Sequence, residues 1–237
     1  MSGMYDTLRA GLPQLGLDLS ESTCQKLCDF GNAVIAQNQV MNLTAITDPT
    51  DVAQLHLLDC AAVLTFADLA GKSVVDVGTG AGFPGMPLQI LQRRAKLTLL
   101  DSLGKRINFL QEVCDALGLE KTNCVHARAE EFAREHRQAF DYATSRAVAA
   151  LNVLCELALP LVKVGGAFLA MKSVDSDEEL RQAKSAIAQL GGSVESVHDY
   201  TIPGTEVQHR LIIIRKIKPT PTTFPRPFAK IKKSPLV

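Results

Sequence analysis

The sequence predicts an α/β fold, a mainly parallel sheet entered through a helical N-terminal segment and closed by an antiparallel hairpin. Three observations predict it. From residue 73 onward, short apolar runs alternate with amphipathic stretches of helical length, the texture of βαβ units. The first of these runs, Val74-Val75-Asp76-Val77, leads straight into the glycines of Gly78-Thr79-Gly80-Ala81-Gly82. Near the C-terminus the order shifts to helix, strand, a Pro203-Gly204 turn and a closing strand.

The first seventy residues read as helical. Asp18 to Glu21 has capping-box spacing ahead of Leu27, Phe30, Val34 and Ile35 at helical intervals. A turn at Met41-Asn42-Leu43-Thr44 separates this helix from a second one. Asp48-Pro49-Thr50-Asp51 opens it, and Val52, Leu55, Leu58 and Ala62 share one face. Five strands are then expected at Ser73 to Val77, Leu97 to Asp101, Asn123 to Ala127, Phe140 to Ser145 and Ala167 to Lys172. Helices are expected between them near Pro84 to Arg93, Gly104 to Leu117, Glu130 to Arg137 and Ala149 to Val162. A helix at Ser176 to Leu190 and strands at Ser193 to Thr201 and His209 to Lys216 bring the sheet to seven strands. The expected organisation is a helical cap over 1–70, an α/β core over 71–216 and a basic, Pro-rich tail over 217–237 that packs on or near the core. No internal repeat is visible.

Composition excludes disorder and collagen: the 237 residues are 46% hydrophobic, and 25 Lys plus Arg balance 25 Asp plus Glu. A chain of this length buries roughly 70–75% of the surface it exposes when unfolded, so one main domain needs no covalent staples. No stretch approaches the roughly 20 apolar residues that span a bilayer, and Met1 to Ala10 lacks a basic region followed by an apolar one. The expectation is a cytoplasmic, monomeric protein with no membrane partner and with reduced thiols at Cys24, Cys28, Cys60, Cys114, Cys124 and Cys155. Cys24 and Cys28 are spaced one helical turn apart with no nearby histidine pair, so buried thiols are expected there and no metal site.

Zero net charge hides an asymmetry. Arg215 to Val237 holds seven cations (Arg215, Lys216, Lys218, Arg226, Lys230, Lys232, Lys233) and no acid. Two readings fit: a surface for a polyanion, or a solvated terminus whose prolines disfavour helix. Phe224 and Phe228 beside the cations favour the first, because aromatic faces stack on bases.

The glycine loop carries the most chemistry. A strand that runs into glycines and then into a helix that Pro84 can start leaves backbone amides free to approach a ligand. Gly80-Ala81-Gly82-Phe83-Pro84-Gly85 formally matches the dinucleotide pattern, so a nicotinamide enzyme competes at this point. Two acids discriminate. Asp101 ends the second strand, where a carboxylate accepts both hydroxyls of an adenosine ribose in either kind of enzyme. Asp76 lies two residues before the first glycine, where a bound pyrophosphate would meet its negative charge. A sulfonium cofactor with an ammonium group to neutralise suits that carboxylate better, which favours S-adenosylmethionine.

These residues resemble the class I S-adenosylmethionine methyltransferases, which are Rossmann-like, and within them the bacterial RsmG (GidB) family of small-subunit ribosomal RNA guanine-N7 methyltransferases. The resemblance rests on Asn42-Leu43-Thr44-Ala45, His56 with Asp59, Asp76 to Gly85, and Asp101-Ser102-Leu103-Gly104-Lys105-Arg106 with Phe109-Leu110. Ala129-Glu130, Ser145-Arg146-Ala147 and the Phe224-Pro225-Arg226 tail complete it, so it spans nearly the whole chain. It implies cofactor contacts at Gly78, Phe83, Ala129, Glu130 and Arg146, to which Asp76, Gly80, Gly82 and Asp101 are added from the loop. Arg146, beyond the fourth strand, is suited to the cofactor carboxylate or to an RNA phosphate.

The implied activity agrees with what is missing. A pyrimidine C5 target needs a cysteine nucleophile near a strand end, and Cys155 lies two turns into a helix. An exocyclic amine is usually served by an Asn or Asp before Pro-Pro and an aromatic, and the fourth strand leads instead into Ser145-Arg146-Ala147. Guanine N7 is unprotonated, so alignment can suffice, and positioning alone supplies roughly 7–11 kcal/mol of a barrier. No residue is expected to act as a base, and Arg146 is the one candidate near the reaction. The expected partner is 16S ribosomal RNA, free or in the small subunit. Candidate RNA contacts are Lys105, Arg106, Lys172, Arg210, Arg226, Lys230, Lys232 and Lys233. A small-molecule methyltransferase is the alternative, followed by a non-catalytic RNA-binding protein. His56 and Asp59 are expected to form a structural hydrogen bond between cap and sheet.

Overall fold

The computed structural model describes residues 3–17, 20–146 and 149–237. Helix α1 (Gly3–Gly11) and the longer α2 (Glu21–Met41) begin the chain. Ser20 caps α2 by accepting from the Thr23 amide, while Asp18, the expected cap, lies outside the described residues. Asp48 accepts from the amides of Thr50 and Asp51 and so opens the second helical rod. That rod is not one regular helix. It passes from α3 (Pro49–Val52) through a π-helical stretch (Ala53–Leu58) and α4 (Asp59–Ala61) to a 3₁₀ turn (Ala62–Thr65). In the wider winding the Asp59 amide reaches back to the Gln54 carbonyl, and His56 and Asp59 both become buried.

The seven strands are β1 (Ser73–Val77), β2 (Lys96–Asp101), β3 (Thr122–His126), β4 (Phe140–Arg146), β5 (Val162–Ser173), β6 (Gly192–Thr201) and β7 (Gln208–Lys216). Helices α5 (Gly85–Leu91), α6 (Gly104–Leu117), α7 (Ala129–Glu135), α8 (Leu151–Ala158) and α9 (Asp177–Gln189) connect them, and α10 (Phe228–Lys233) follows the sheet. The strand order is β3-β2-β1-β4-β5-β7-β6, parallel through β5 and antiparallel at β7. The winding reverses between β1 and β4, which opens a crevice at their C-terminal ends. One expected boundary moves: the helix before β5 ends at Ala158, a 3₁₀ turn carries the chain to Leu161, and β5 begins at Val162.

Helices cover both faces of the sheet, and alternate side chains enter separate apolar layers. Val74, Leu97, Leu169, Leu211 and Ile213 pack with α1, α2, the rod, α5 and α6. Val75, Val77, Phe168, Ile212 and Ile214 pack with α7, α8, α9 and Ile231 of α10. Leu211 to Ile214 is an unbroken apolar run because β7 is buried on both faces. The N-terminal helices therefore share a core with one face of the sheet, and the tail is bound to the other. Among the described residues no helix is long and apolar enough to cross a membrane.

Candidate active site

A cavity of about 540 Å³ opens at the C-terminal ends of β1, β2 and β4, within the roughly 300–1,000 Å³ range of small-molecule sites. Its wall brings together Gly78, Gly80, Phe83, Asp101, Ala129, Glu130 and Arg146 of the residues singled out in the sequence, with Arg106 at the edge. It also includes Thr44, Arg128, Leu157 and Phe228, which sequence reasoning does not place there. Thr44 carries a signal in the Asn42 to Ala45 motif, whereas Arg128 and Leu157 carry none.

The chain leaves β1 by a left-handed turn at Gly78, with φ 71°. The loop amides that follow are committed within the protein, which corrects the expectation that they are left free. Gly78 and Thr79 donate to the Leu100 carbonyl at 2.8 and 3.0 Å, Gly80 donates to Asp101 Oδ2 at 2.9 Å, and Gly82 and Phe83 donate to the Thr79 carbonyl at 2.9 and 3.1 Å. A pyrophosphate would find few donors in such a loop, while a ligand without phosphate needs none.

Asp76 and Gly82 stand behind the wall rather than on it. The buried Asp76 accepts from Thr79 Oγ1 at 2.6 Å and from the Gly85 amide at 2.9 Å through one oxygen, and its other oxygen has no protein partner. Burial raises its carboxyl to about 6, although those two hydrogen bonds oppose the rise. Its place in the structure is that of a loop brace. Gly82, at φ 100°, faces Leu110, Met86 and Phe30, so a Cβ there would collide with α5 and α6 and not with a ligand.

Asp101 is braced in turn. Its Oδ2 accepts from Gly80 and its Oδ1 from the Leu103 amide at 2.9 Å, while Arg106 approaches to 3.5 Å. Each carboxylate oxygen has a second lone pair, so both can still accept a hydroxyl from the cavity. Glu130, at the start of α7, is 6% exposed and lies 4.0 Å from Arg128.

At the opposite wall Arg146 ends β4 and clamps the rod to the sheet. It donates to Asp59 Oδ2 at 3.0 Å and to the Leu55 carbonyl at 3.2 Å, lies 3.1 Å from His56 Nδ1, and sits over the Phe83 ring with 4.9 Å to its centroid. The expected structural hydrogen bond between cap and sheet takes this form, with Arg146 of β4 as the sheet partner of both Asp59 and His56. Asp59 Oδ1 also accepts from Tyr200 and His209, both at 2.8 Å. Burial pushes the Asp59 carboxyl up, but the His209 hydrogen bond, the Arg146 charge and the Tyr200 hydroxyl outweigh it and hold the carboxyl below its ordinary value. The same hydrogen bond raises His209. His56 is lowered to about 4, by burial first and the Arg146 charge second, and its Nε2 pairs with Thr44 Oγ1 at 2.8 Å. It is a neutral imidazole and a weak base.

Several expected RNA contacts are engaged elsewhere. Lys172 pairs with Glu179 at 2.6 Å, Arg210 with Asp199 and Asp177 at 2.6 and 2.5 Å, and Arg226 with the fully buried Glu156 at 2.6 Å. The acidic first turn of α9 takes the first two, and α8 takes the third. These three expected RNA contacts are thus held in ion pairs within the protein. Lys105, Lys230, Lys232 and Lys233 are exposed, with no acid in ion-pair range among the described residues.

A doubly wound sheet with a glycine loop after β1 whose amides are already paired within the protein, and an acid ending β2 on the cavity wall, fits an S-adenosylmethionine-dependent methyltransferase of class I. The comparisons agree and go further. Residues 23–210 match the GidB family, rRNA small subunit methyltransferase G, and the chain belongs to that family. It is 43% identical over 235 residues to the ribosomal RNA small subunit methyltransferase G of Clostridium perfringens strain 13, covering 98% of both chains. With the protein of that name from Alkaliphilus metalliredigens it shares 44% over 232 residues, 97% of each. Among solved structures it resembles M. jannaschii TYW2 in complex with AdoMet (TM-score 0.51, 14% identity, 64% of this chain and 71% of that one). It also resembles P. horikoshii TYW2 in complex with MeSAdo (TM-score 0.53, 17% identity, 68% and 61%), and both are likenesses of fold.

Proposed function

We propose that the chain transfers a methyl group from S-adenosylmethionine to N7 of one guanosine in 16S ribosomal RNA, and that the cavity holds the cofactor. The cofactor supplies an electrophilic methyl group on a sulfonium. Asp101 receives the ribose hydroxyls, Ala129 and Glu130 read the adenine edge, and Arg146 faces the cofactor carboxylate. Gly78 and Phe83 border the methionine portion, and Asp76 holds the loop in shape from behind.

The observation that carries the choice of atom is the lining. Among the described residues it contains no cysteine and no lysine, and the one histidine there is a weak base already paired to Thr44 and facing Arg146. A target that must lose a proton or be attacked covalently is poorly served by such a set, whereas N7 requires alignment and exclusion of water. RNA is held by the exposed lysines of α10 together with Lys105 and Arg106, at either side of the crevice. The test is labelled S-adenosylmethionine with small ribosomal subunits and with naked 16S RNA, followed by borohydride and aniline cleavage at N7-methylguanosine. A single cleavage site is expected. Transfer without cleavage would move the methyl group to another atom, and no transfer despite cofactor binding would favour a small-molecule substrate.

A further inference from the structure

The family match ends at residue 210, yet the chain beyond β7 returns to the cavity. It is strapped across α7 and α8 by specific bonds. Arg137 donates to the carbonyls of Phe224, at 2.6 Å, and Thr220, at 2.5 Å. The buried Glu156 accepts from the Arg226 amide at 2.9 Å and from its guanidinium at 2.8 and 2.6 Å. Asn152 donates to the Leu236 carbonyl at 2.8 Å, and Ile231 is fully buried. So anchored, the strap sets the half-buried Phe228 into the cavity wall. Phe228 packs on the same apolar layer as Ala129 of α7 and Leu157 of α8, and all three line the cavity.

We infer that Phe228 is a cofactor-binding residue: the C-terminal strap supplies an apolar wall for the adenine of S-adenosylmethionine, against which the purine packs. This rests on the proposed placement of the adenine beside Ala129 and Glu130. A flat aromatic side chain suits a purine, since base–aromatic contact adds to simple burial and needs no hydrogen-bond complement. The strap therefore belongs to the active site as well as to the RNA surface, and Lys230 stands two residues from the side chain that touches the cofactor.

The chain contains no tryptophan, so Phe228→Trp introduces a single fluorophore at the wall. Titration of the full chain with S-adenosylhomocysteine and with 5′-methylthioadenosine is expected to shift its emission saturably, while L-methionine leaves it unchanged. By calorimetry, Phe228→Ala is expected to weaken both adenosine ligands about tenfold, and Phe228→Leu to restore much of that loss. Ala229→Ser, on the same helix and exposed, keeps wild-type cofactor affinity. Emission that stays fixed while calorimetry reports binding, together with wild-type affinity in Phe228→Ala, would overturn the inference. A Phe228→Ala chain that melts early while the tryptophan variant is also silent would overturn it as well, because Phe228 would then serve the strap alone. If the wild-type chain binds neither adenosine ligand, the cofactor reading itself fails and the inference falls with it.

Discussion

Two arginine–carboxylate clamps tie the outer segments to the core, one holding the N-terminal rod onto the sheet and one holding the C-terminal strap onto α8. In both the carboxylate is fully buried, Asp59 in one and Glu156 in the other, and the arginine side chain is about equally covered, 15% exposed at Arg146 and 14% at Arg226. Their surroundings differ. Asp59 gathers Arg146, Tyr200 and His209 from three strands around one acid, whereas Glu156 receives every bond it makes from Arg226. The rod clamp lies beside the cavity and its arginine lines it, while the strap clamp acts through Phe228. The same ion pair thus positions a cavity-lining cation in one place and a cavity-lining aromatic ring in the other. A buried pair contributes little net stability by itself, but removing one partner strands the other.

The sharpest way to break the comparison is to remove the acid of the rod clamp. Asp59→Ala leaves a covered guanidinium, a phenol and an imidazole without their acceptor, and should cost about 3–5 kcal/mol by denaturant titration together with most cofactor affinity. Arg226→Ala strands Glu156 and should cost about 2–4 kcal/mol, with a smaller loss of cofactor affinity through Phe228. If the second substitution proves the costlier, the extra partners around Asp59 are not what distinguishes the clamps.

The pH dependence separates them further. His56 is lowered to about 4, so between its ordinary value and that point the unfolded chain takes up a proton that the native chain refuses. Stability falls as the pH drops through this window, by about 1–2 kcal/mol at pH 5. His209, raised by Asp59, works in the opposite sense: its contribution is fully present below the unfolded value and is lost as the pH rises through its folded one. Comparison of wild type with His56→Asn isolates the first effect, and parallel stability profiles would remove His56 from the rod clamp. Smallest of all for the fold, Lys232→Ala with Lys233→Ala should leave stability within about 0.5 kcal/mol and reduce the salt slope of RNA binding by about 2. An unchanged slope would take α10 out of the RNA surface.

The central strands were legible as apolar runs bounded by turn residues, β6 by its alternation of polar and apolar residues, and the run at Leu211 to Ile214 signals a strand covered on both faces. β5 begins earlier than the pattern suggests because Lys163 to Gly166 carry no apolar alternation. The π-helical stretch is invisible in composition: Ala53 to Leu58 would suit an α-helix equally well, and what accompanies the wider winding is a partner ninety residues away, Arg146. Of the site, the loop, Asp101, Glu130 and Arg146 were readable by position relative to strand ends. The pairing of cations was not: Asp177 lies 33 residues from Arg210, and although Glu179 is seven residues from Lys172 and Asp199 eleven from Arg210, those pairs depend on where α9 starts after β5 and on the β6–β7 register, which the residue pattern does not fix. One signal was available. Glu156 stands inside the apolar run Leu151-Asn152-Val153-Leu154-Cys155-Glu156-Leu157, and an acid in a buried helix calls for a cation.

The insertion of β7 between β5 and β6 bears on how the protein is made. As the chain is synthesised, five parallel strands are complete once residue 173 has emerged, but β6 has no bonded neighbour until residues 208–216 follow. Until then β5 offers an open edge of the kind that recruits foreign strands. A nascent or truncated chain that stops short of β7 is thus exposed to aggregation, and closure of the sheet, seating of the strap and completion of the cavity wall all wait until residues 208 and beyond have emerged.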